Sequence, residues 1–304
     1  MTPMPALYHG ILNLNKPAGW TSHDVVAKVR HILGQREVGH AGTLDPLATG
    51  VLLTCVGQAT RIAEYLTAGE KVYRAVGRLG LSTDTYDRDG RVVAEAPVPE
   101  LTGQELLRAL EPFVGTIQQR PPAYSAIKQE GVPAHRKARR GEAVALEPRS
   151  VTIRRVDLLE WCSPHLTIEV TCGSGTYIRS LIHDLGQVLG CGAVLMQLTR
   201  LRSGPFVLED AIAPEELAAA ARVGQIDRFL QPLEVALRYA GLTRVPVSAA
   251  EAARLAHGQA IPCLAQAATD EGYAITPDGS VVAILTHDPV HGQWRPRKVF
   301  VTRD

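Results

Sequence analysis

Residues 39–50 read Gly39-His40-Ala41-Gly42-Thr43-Leu44-Asp45-Pro46-Leu47-Ala48-Thr49-Gly50. Three glycines and a proline in twelve positions make this a loop with fixed punctuation. Asp45 stands at its tip, followed by Pro46, so backbone geometry holds it rather than packing. The glycines let a ligand approach the main chain closely, and functional residues concentrate on such loops. The plainer reading is an aspartate that caps its own turn, and spacing by itself favours it. The loop is no phosphate cradle of the known kind: no Gly-Lys-Ser/Thr follows, and no GxGxxG occurs in the chain. His40 could act as an acid or base, although a lone loop histidine is more often a structural hydrogen-bonding group.

Outward from the loop, the chain alternates strand and helix. Ile11-Leu12-Asn13-Leu14 reads as a strand stopped by the turn Lys16-Pro17-Ala18-Gly19. Thr21 or Ser22 can cap a helix over Asp24–Leu33, whose Val25, Val26, Val29, Ile32 and Leu33 recur at helical spacing. Val51–Val56 is apolar enough for a buried strand, and Gln58–Leu66 reads as a helix. Further strands are expected over 71–80 and 151–171, with helices over Glu105–Phe113, Ile178–Leu189, Pro214–Val223 and Ile226–Tyr239. This irregular interleaving suggests a mixed α/β or α+β fold, not a doubly wound sheet. After Gly241-Leu242-Thr243 the pattern changes to short strands over Gly272–Ile275, Val281–Leu285 and Lys298–Val301, a small β-rich appendage.

A length of 304 residues suits one large domain, or one with a small appendage. No apolar run is long enough to cross a bilayer, and the first residues lack the pattern of a signal peptide. Five cysteines without a CxxC pair argue against a disulfide framework or a cysteine zinc site, so a reducing cytoplasm is expected. Net charge is only +1, but Arg120, Lys128, Arg136, Lys137, Arg139, Arg140, Arg149, Arg154 and Arg155 form a local basic stripe. A phosphate backbone needs such a footprint; charge taken alone fits a solvated face as well.

Other chemistry is thinner. Asp84-Thr85-Tyr86-Asp87-Arg88-Asp89-Gly90 suggests a calcium loop, but aligning Gly90 with the loop glycine puts Ala96 where a bidentate glutamate is required. An acidic turn is the better reading. Gly173-Ser174-Gly175-Thr176-Tyr177-Ile178-Arg179 ends a strand and opens a helix, and Arg179 there could pair with a carboxylate or phosphate. Tyr73 and Tyr177, beside Arg74 and Arg179, read first as ordinary core-edge tyrosines.

Together these segments resemble the TruB-type tRNA pseudouridine synthases, which convert a uridine at position 55, in the T loop of tRNA, to pseudouridine. The resemblance is carried by GILNLNKPAGWTSHDVV at 10–26, GHAGTLDPLATGVL at 39–52, KVYRAVGRLG at 71–80 and STDTYDRDG at 82–90. CGSGTYIRSLIHDLG at 172–186 and GCGAVLMQLTRLRSG at 190–204 complete it, in the family's order and spacing. It implies an α+β fold: a mixed, mainly antiparallel sheet with flanking helices, over residues 1–241, with an RNA-clasping insertion at about 120–150. A small PUA-like RNA-binding domain over 242–304 is implied as well. By the same likeness Asp45 is the catalytic aspartate, Tyr73 the tyrosine that stacks on the target base, and Arg179 the arginine that pairs with the aspartate. His40, Tyr177 and Leu198 fall where the family contacts RNA or the flipped nucleotide, and Lys16 and Pro17 in a motif that buttresses the site. In the clasping stretch His135 stands where the family commonly has a tyrosine, which puts a stacking contact there in doubt.

Pseudouridine formation breaks the N1–C1′ bond, turns the uracil and rejoins it through C5, so no redox step, metal or other cofactor is called for. The nucleotide must be flipped out, at a cost of a few kcal/mol; an aromatic platform returns about 1–3 kcal/mol. An aspartate working on sugar or base acts in its charged form, and a guanidinium partner favours that form. The residues leave open whether Asp45 is a nucleophile or abstracts a sugar proton to give a glycal, and whether Tyr73 or Asp45 takes the C5 proton. The expected partner is the T stem-loop of tRNA, with no membrane, no protein partner, and a monomer as the default. Two rivals stand beside this reading. A non-catalytic tRNA-binding or folding protein would not need Asp45, Tyr73 and Arg179 together. A glycoside hydrolase would need a second carboxylate flanking the bond, with Asp84 or Asp87 as the available partner.

Overall fold

The computed structural model describes residues 7–300 apart from 126, 130, 131, 141, 143, 145 and 264–268. The chain opens with β1 (Gly10–Lys16), α1 (Ser22–Leu33), β2 (Val38–Ala41), β3 (Thr49–Val56) and α2 (Ala63–Ala68). It continues through β4 (Lys71–Leu79), the short pair β5 (Leu81–Thr83) and β6 (Val92–Glu95), α3 (Gly103–Leu110) and β7 (Gly115–Gln119). Within 120–150 lie a small hairpin, β8 (Lys128–Gln129) and β9 (Val132–Pro133), and α4 (Ala134–Arg139). The long hairpin β10 (Arg149–Cys162) and β11 (His165–Cys172) follows, then α5 (Ile178–Val188) and β12 (Ala193–Ser203). β13 (Phe206–Val207), α6 (Pro214–Arg222), β14 (Leu230–Gln231) and α7 (Leu233–Tyr239) complete this part.

Its strands form one ten-stranded sheet in the order β14-β1-β3-β12-β4-β11-β10-β7, with β13 on β12 and β2 on β3. The β12–β3 pairing is parallel and the others are antiparallel. The chain thus has the α+β architecture expected of it, a mixed and mainly antiparallel sheet with flanking helices. β4 lies near the middle, and its Val72, Tyr73, Ala75 and Leu79 are buried. α1 starts where its capping box allows: Asp24 N–H donates to Thr21 Oγ1, and Thr21 N–H donates to the Asp24 carboxylate. It stops at Gly34, which is left-handed. Its buried Val25, Val26, Val29 and Leu33 join Leu12, Leu14 and Leu52 in the main core. Each fully buried leucine there contributes about 2 kcal/mol relative to exposure.

Three expected elements differ. Part of the 39–50 stretch is strand, because Gly39, His40 and Ala41 pair with Cys55, Thr54 and Leu53 of β3; the loop proper is 42–48. The Gln58–Leu66 helix begins as a tighter 3₁₀ turn over Gly57–Ile62 before α2. Ile226–Tyr239 is no single helix. Pro232 drives the residue before it into extended backbone, so Leu230–Gln231 pairs with β1 and α7 starts afterwards.

The remaining elements are β15 (Thr243–Pro246), α8 (Ala249–Ala256), β16 (Ile261–Pro262), β17 (Glu271–Ile275), β18 (Val281–Asp288) and β19 (Gln293–Val299). They form a separate five-stranded sheet ordered β15-β17-β18-β19-β16. The last expected strand therefore runs Gln293–Val299, and position 301 lies outside the described residues. One face of this sheet has its own core around Leu255, Leu285 and Trp294. Tyr273, Ile275, Ile284 and Phe300 instead pack with Ile62, Leu66 and Leu237 of the first part. Among the described residues no helix is long and apolar enough to cross a membrane.

Gly50, second in β3, has φ +97°, and a Cβ there would lie 2.3 Å from the carbonyl oxygen of Arg200, its partner across the parallel junction. Gly50→Ala should therefore lower stability by about 2 kcal/mol or more, measured by urea unfolding. An unchanged midpoint would show that this junction tolerates movement.

Candidate active site

The loop 42–48 is held from below at nearly every turn. Leu44 N–H donates to Ser22 Oγ at 2.9 Å, and that hydroxyl donates back to Leu44 O at 3.2 Å. Gly19 N–H donates to Pro46 O at 2.8 Å, and Ala48 N–H to Asp45 O at 3.0 Å. Lys16 is fully buried, and its Nζ donates to the carbonyls of Pro17 (2.9 Å), Trp20 (2.6 Å) and Pro46 (3.2 Å). Burial pushes its amine down to about 8. Lys16 and Pro17 thus lie under the loop, on the side away from the cavity.

Asp45 points the other way, its side chain 32% exposed. Arg179, in the first turn of α5 and only 4% exposed, grips both its oxygens with one edge of the guanidinium. Nε donates to Asp45 Oδ2 at 2.9 Å and Nη2 to Oδ1 at 3.0 Å. The same guanidinium donates to Thr85 O at 3.1 Å and Tyr124 O at 3.0 Å, and its Nη1 lies 3.5 Å from Asp87 Oδ2. A buried cation needs such saturation, since an unpaired one costs several kcal/mol.

Asp45 and Arg179 line a cavity of about 820 Å³, and Tyr73, Tyr177 and Leu198 line it with them. Tyr73 projects from β4 with its phenol pushed up by burial, the Arg200 guanidinium beside it pulling the other way. Tyr177 caps α5. Gln119 fixes its backbone, donating to Tyr177 O at 3.0 Å and accepting from Tyr177 N–H at 2.8 Å. Burial pushes the Tyr177 phenol up as well. His40 is the exception among the expected site residues. It sits on β2 outside the cavity lining, edge-on to His23 at 5.3 Å between ring centres, and His23 is the histidine that reaches the wall.

Sequence reasoning missed several residues. Arg200 is buried on β12, donating to Val51 O at 2.6 Å and Gly42 O at 2.9 Å. Lys71 is buried at the start of β4, its amine on the carbonyls of Thr67 and Gly69 and pushed down to about 8 by burial. Both line the cavity. Only their buried position on otherwise apolar strands could have drawn attention to them. Asp87 was read as part of an acidic turn, yet it joins the lining and faces Arg179. Its Oδ1 accepts from Thr85 Oγ1 (2.6 Å) and Asp89 N–H (3.2 Å), and burial pushes its carboxyl up. Asp84 accepts from Arg91 N–H at 2.9 Å and is not in the cavity lining. Neither carboxylate is placed as a free partner across a bond from Asp45. Among the described residues no cluster of metal-ligating side chains occurs. The described parts of the insertion leave Arg120, Arg136 and Arg140 exposed, with Arg149, Arg154 and Arg155 on β10. The side chains of Lys128, His135 and Arg139 lie outside what the structure describes.

Residues 30–178 match the family model for the N-terminal domain of TruB family pseudouridylate synthases, and 179–238 that for the C-terminal domain of tRNA pseudouridylate synthase B. The tRNA pseudouridine synthase B of Xanthomonas euvesicatoria is 44% identical over 295 residues, covering 96% of this chain and 94% of its own length. That of Symbiobacterium thermophilum is 49% identical over 254 residues, 83% of this chain and 82% of its own. Among solved structures, a chain of an H/ACA ribonucleoprotein bound to a substrate RNA containing 2′-deoxyuridine is 27% identical, with a TM-score of 0.74. The match covers 97% of this chain and 86% of that one.

Burial pushes the His40 imidazole down from 6.5 to about 4, so the folded chain holds it neutral where the unfolded chain would protonate it. The associated stability is present above pH 6.5 and is lost as pH falls toward 4. In His40→Asn, unfolding midpoints should decline less between pH 6.5 and 4 than in the wild type. Parallel curves would show that His40 titrates alike in both states.

Proposed function

Because the chain belongs to the TruB family of pseudouridylate synthases, we propose that it converts one uridine of tRNA, at position 55 in the T loop, to pseudouridine. Formation of pseudouridine in tRNA, an isomerisation, is the activity its relatives are named for; the choice of uridine follows the resemblance to the family, and the chemistry is read from the cavity. One observation carries that reading. A half-exposed carboxylate, Asp45, is clamped by a buried guanidinium at the wall of a cavity that also presents a tyrosine ring.

The target uridine enters that cavity flipped out of its loop. Tyr73 is the platform for its ring, and stacking worth about 1–3 kcal/mol offsets much of the cost of unstacking. Leu198 and Tyr177 bound the same space, and His40 acts from behind His23. Arg179 fixes both carboxylate oxygens of Asp45, so the aspartate meets the nucleotide in one orientation. Two routes satisfy the balance of atoms. Asp45 attacks the sugar or the base, or it removes a sugar proton to give a glycal. In both, the N1–C1′ bond breaks with its electron pair leaving on the uracil. The base then turns and C5 bonds to C1′, with the Asp45 adduct broken on the first route and the sugar proton returned to C2′ on the second; the C5 proton leaves to Tyr73 or Asp45, and N1 is protonated. Product and substrate are isomers, so no cofactor enters the balance.

The tRNA would meet the protein along the basic residues of 120–155 and on a PUA-like module over 242–304, separate from a catalytic unit over 1–241. Some of the stripe is already paired on the surface: Arg154 with Glu70 at 3.0 Å, Arg155 with Asp157 at 2.6 Å. Exposed pairs of this kind are worth about 0–1 kcal/mol, so phosphates can displace them. We place the enzyme in the cytoplasm, acting as a monomer on the T stem-loop.

The test is tritium release from C5-labelled uridine in an unmodified tRNA transcript. The native protein should release tritium and Asp45→Asn should not. Tight tRNA binding with no release from either would favour a non-catalytic tRNA-binding or folding protein. Tyr73→Ala should lower the rate by at least tenfold, and unchanged activity would remove Tyr73 from the site. Affinity for the transcript should fall steeply between low and moderate salt, and a KM independent of salt would contradict the phosphate-contact reading.

A further inference from the structure

Arg179 is held on one side by Asp45 and on the other by the turn 83–90. Thr85 O accepts from Nη1 at 3.1 Å, and Asp87 Oδ2 lies 3.5 Å from the same atom. The residue between those two is Tyr86. Its φ is +65°, and it is the one described non-glycine residue in the left-handed region. A side chain with a Cβ is disfavoured there, and glycine, asparagine or aspartate would fit more easily. The ring explains why a tyrosine is present. It lies on the imidazole of His183 with 3.7 Å between ring centres and planes 9° apart. His183 is four residues after Arg179 on α5, so both side chains leave the same face of that helix, one turn apart.

The two rings therefore tie the turn to the helix that carries Arg179. The other ties of Tyr86 lead elsewhere: its carbonyl accepts from Leu195 N–H at 3.0 Å, and Arg88 N–H donates to Leu195 O at 2.9 Å, both on β12. Inside the turn, Thr83 Oγ1 donates to Asp87 O at 2.7 Å and Thr85 Oγ1 to Asp87 Oδ1 at 2.6 Å. The turn is thus a rigid piece resting on β12, and the stack sets its height against α5. The Nδ1 of His183 is buried without a hydrogen-bond partner among the described residues, and burial pushes its imidazole down, toward the neutral form.

We infer that the Tyr86–His183 stack is a positioning device: it sets where Thr85 O and Asp87 meet Arg179, and through Arg179 the orientation of Asp45. Neither ring is in the cavity lining. The inference rests on the reading of Asp45 and Arg179 as the reacting pair. Its signature is a loss in the chemical step with substrate binding intact.

The experiment measures single-turnover tritium release at saturating transcript, with filter-binding Kd and Tm for each full-length variant. Tyr86→Gly keeps the left-handed backbone and deletes the ring; His183→Ala deletes the other ring. Each should slow release by roughly tenfold to a hundredfold with Kd unchanged. Tyr86→Phe and His183→Phe, which restore a flat ring, should recover the rate to within about twofold. Wild-type rates in the Gly and Ala variants overturn the inference. So do losses that follow Tm or Kd alone, or phenylalanine variants as slow as the deletions. Asp45→Asn is run in parallel: if it retains activity, the reading of the reacting pair has failed and the stack falls with it. If it is inactive while Tyr86→Gly is normal, only the stack has failed.

Discussion

A guanidinium that is 4% exposed must have its donors met by protein, and Arg179 recruits acceptors from three places in the chain. Asp45 comes from the loop before β3, Thr85 and Asp87 from the turn after β5, and Tyr124 from the start of the insertion. Left unpaired, the charge would cost several kcal/mol. Meeting it draws the elements around the cavity into one arrangement. The carboxylate of Asp45 is oriented as a consequence, and the cavity wall is built from the same set of contacts.

The other buried cations follow the same rule with different partners. Lys16, Lys71 and Arg200 donate to main-chain carbonyls rather than to carboxylates in the bonds described. Each closes a loop against a strand: Lys16 the turn after β1 and the loop at Pro46, Lys71 the turn between α2 and β4, Arg200 the loop at Gly42 and the edge of β3. Carbonyl partners satisfy hydrogen bonds without cancelling charge, and in the cavity lining Lys71, Arg179 and Arg200 stand against Asp45, Asp87 and Asp89. Depressed amines at Lys16 and Lys71 report the cost of that burial.

The second sheet shares a core with the first instead of hanging from it. Tyr273, Ile275, Ile284 and Phe300 meet Ile62, Leu66 and Leu237, and Lys298 donates to Arg61 O at 2.7 Å. The β-rich unit is thereby carried by the framework that holds Asp45.

Much of the fold was legible in the sequence because its cues are local. Thr21 and Asp24 announce the start of α1, Gly34 its end, and the apolar positions of Val51–Val56 a buried strand. Asp45, Tyr73 and Arg179 stood out through the blocks that contain them, and Tyr177 and Leu198 likewise. Where local reading went wrong, a local signal had been passed over, as with Pro232 splitting a supposed helix. Other roles had no local signal. His40 and His23 are 17 positions apart, and only the packing of β2 on α1 decides which of them reaches the wall. Arg179 lies 134 positions from Asp45 and 94 from Thr85, and Arg200 lies 149 from Val51. Helix caps, strand patterning and turn chemistry were set by the sequence itself, because they act within a few residues. The partners of the buried cations, and hence the shape and charge of the cavity, were decided by tertiary structure alone, because desolvation exists only once distant segments close over a charge.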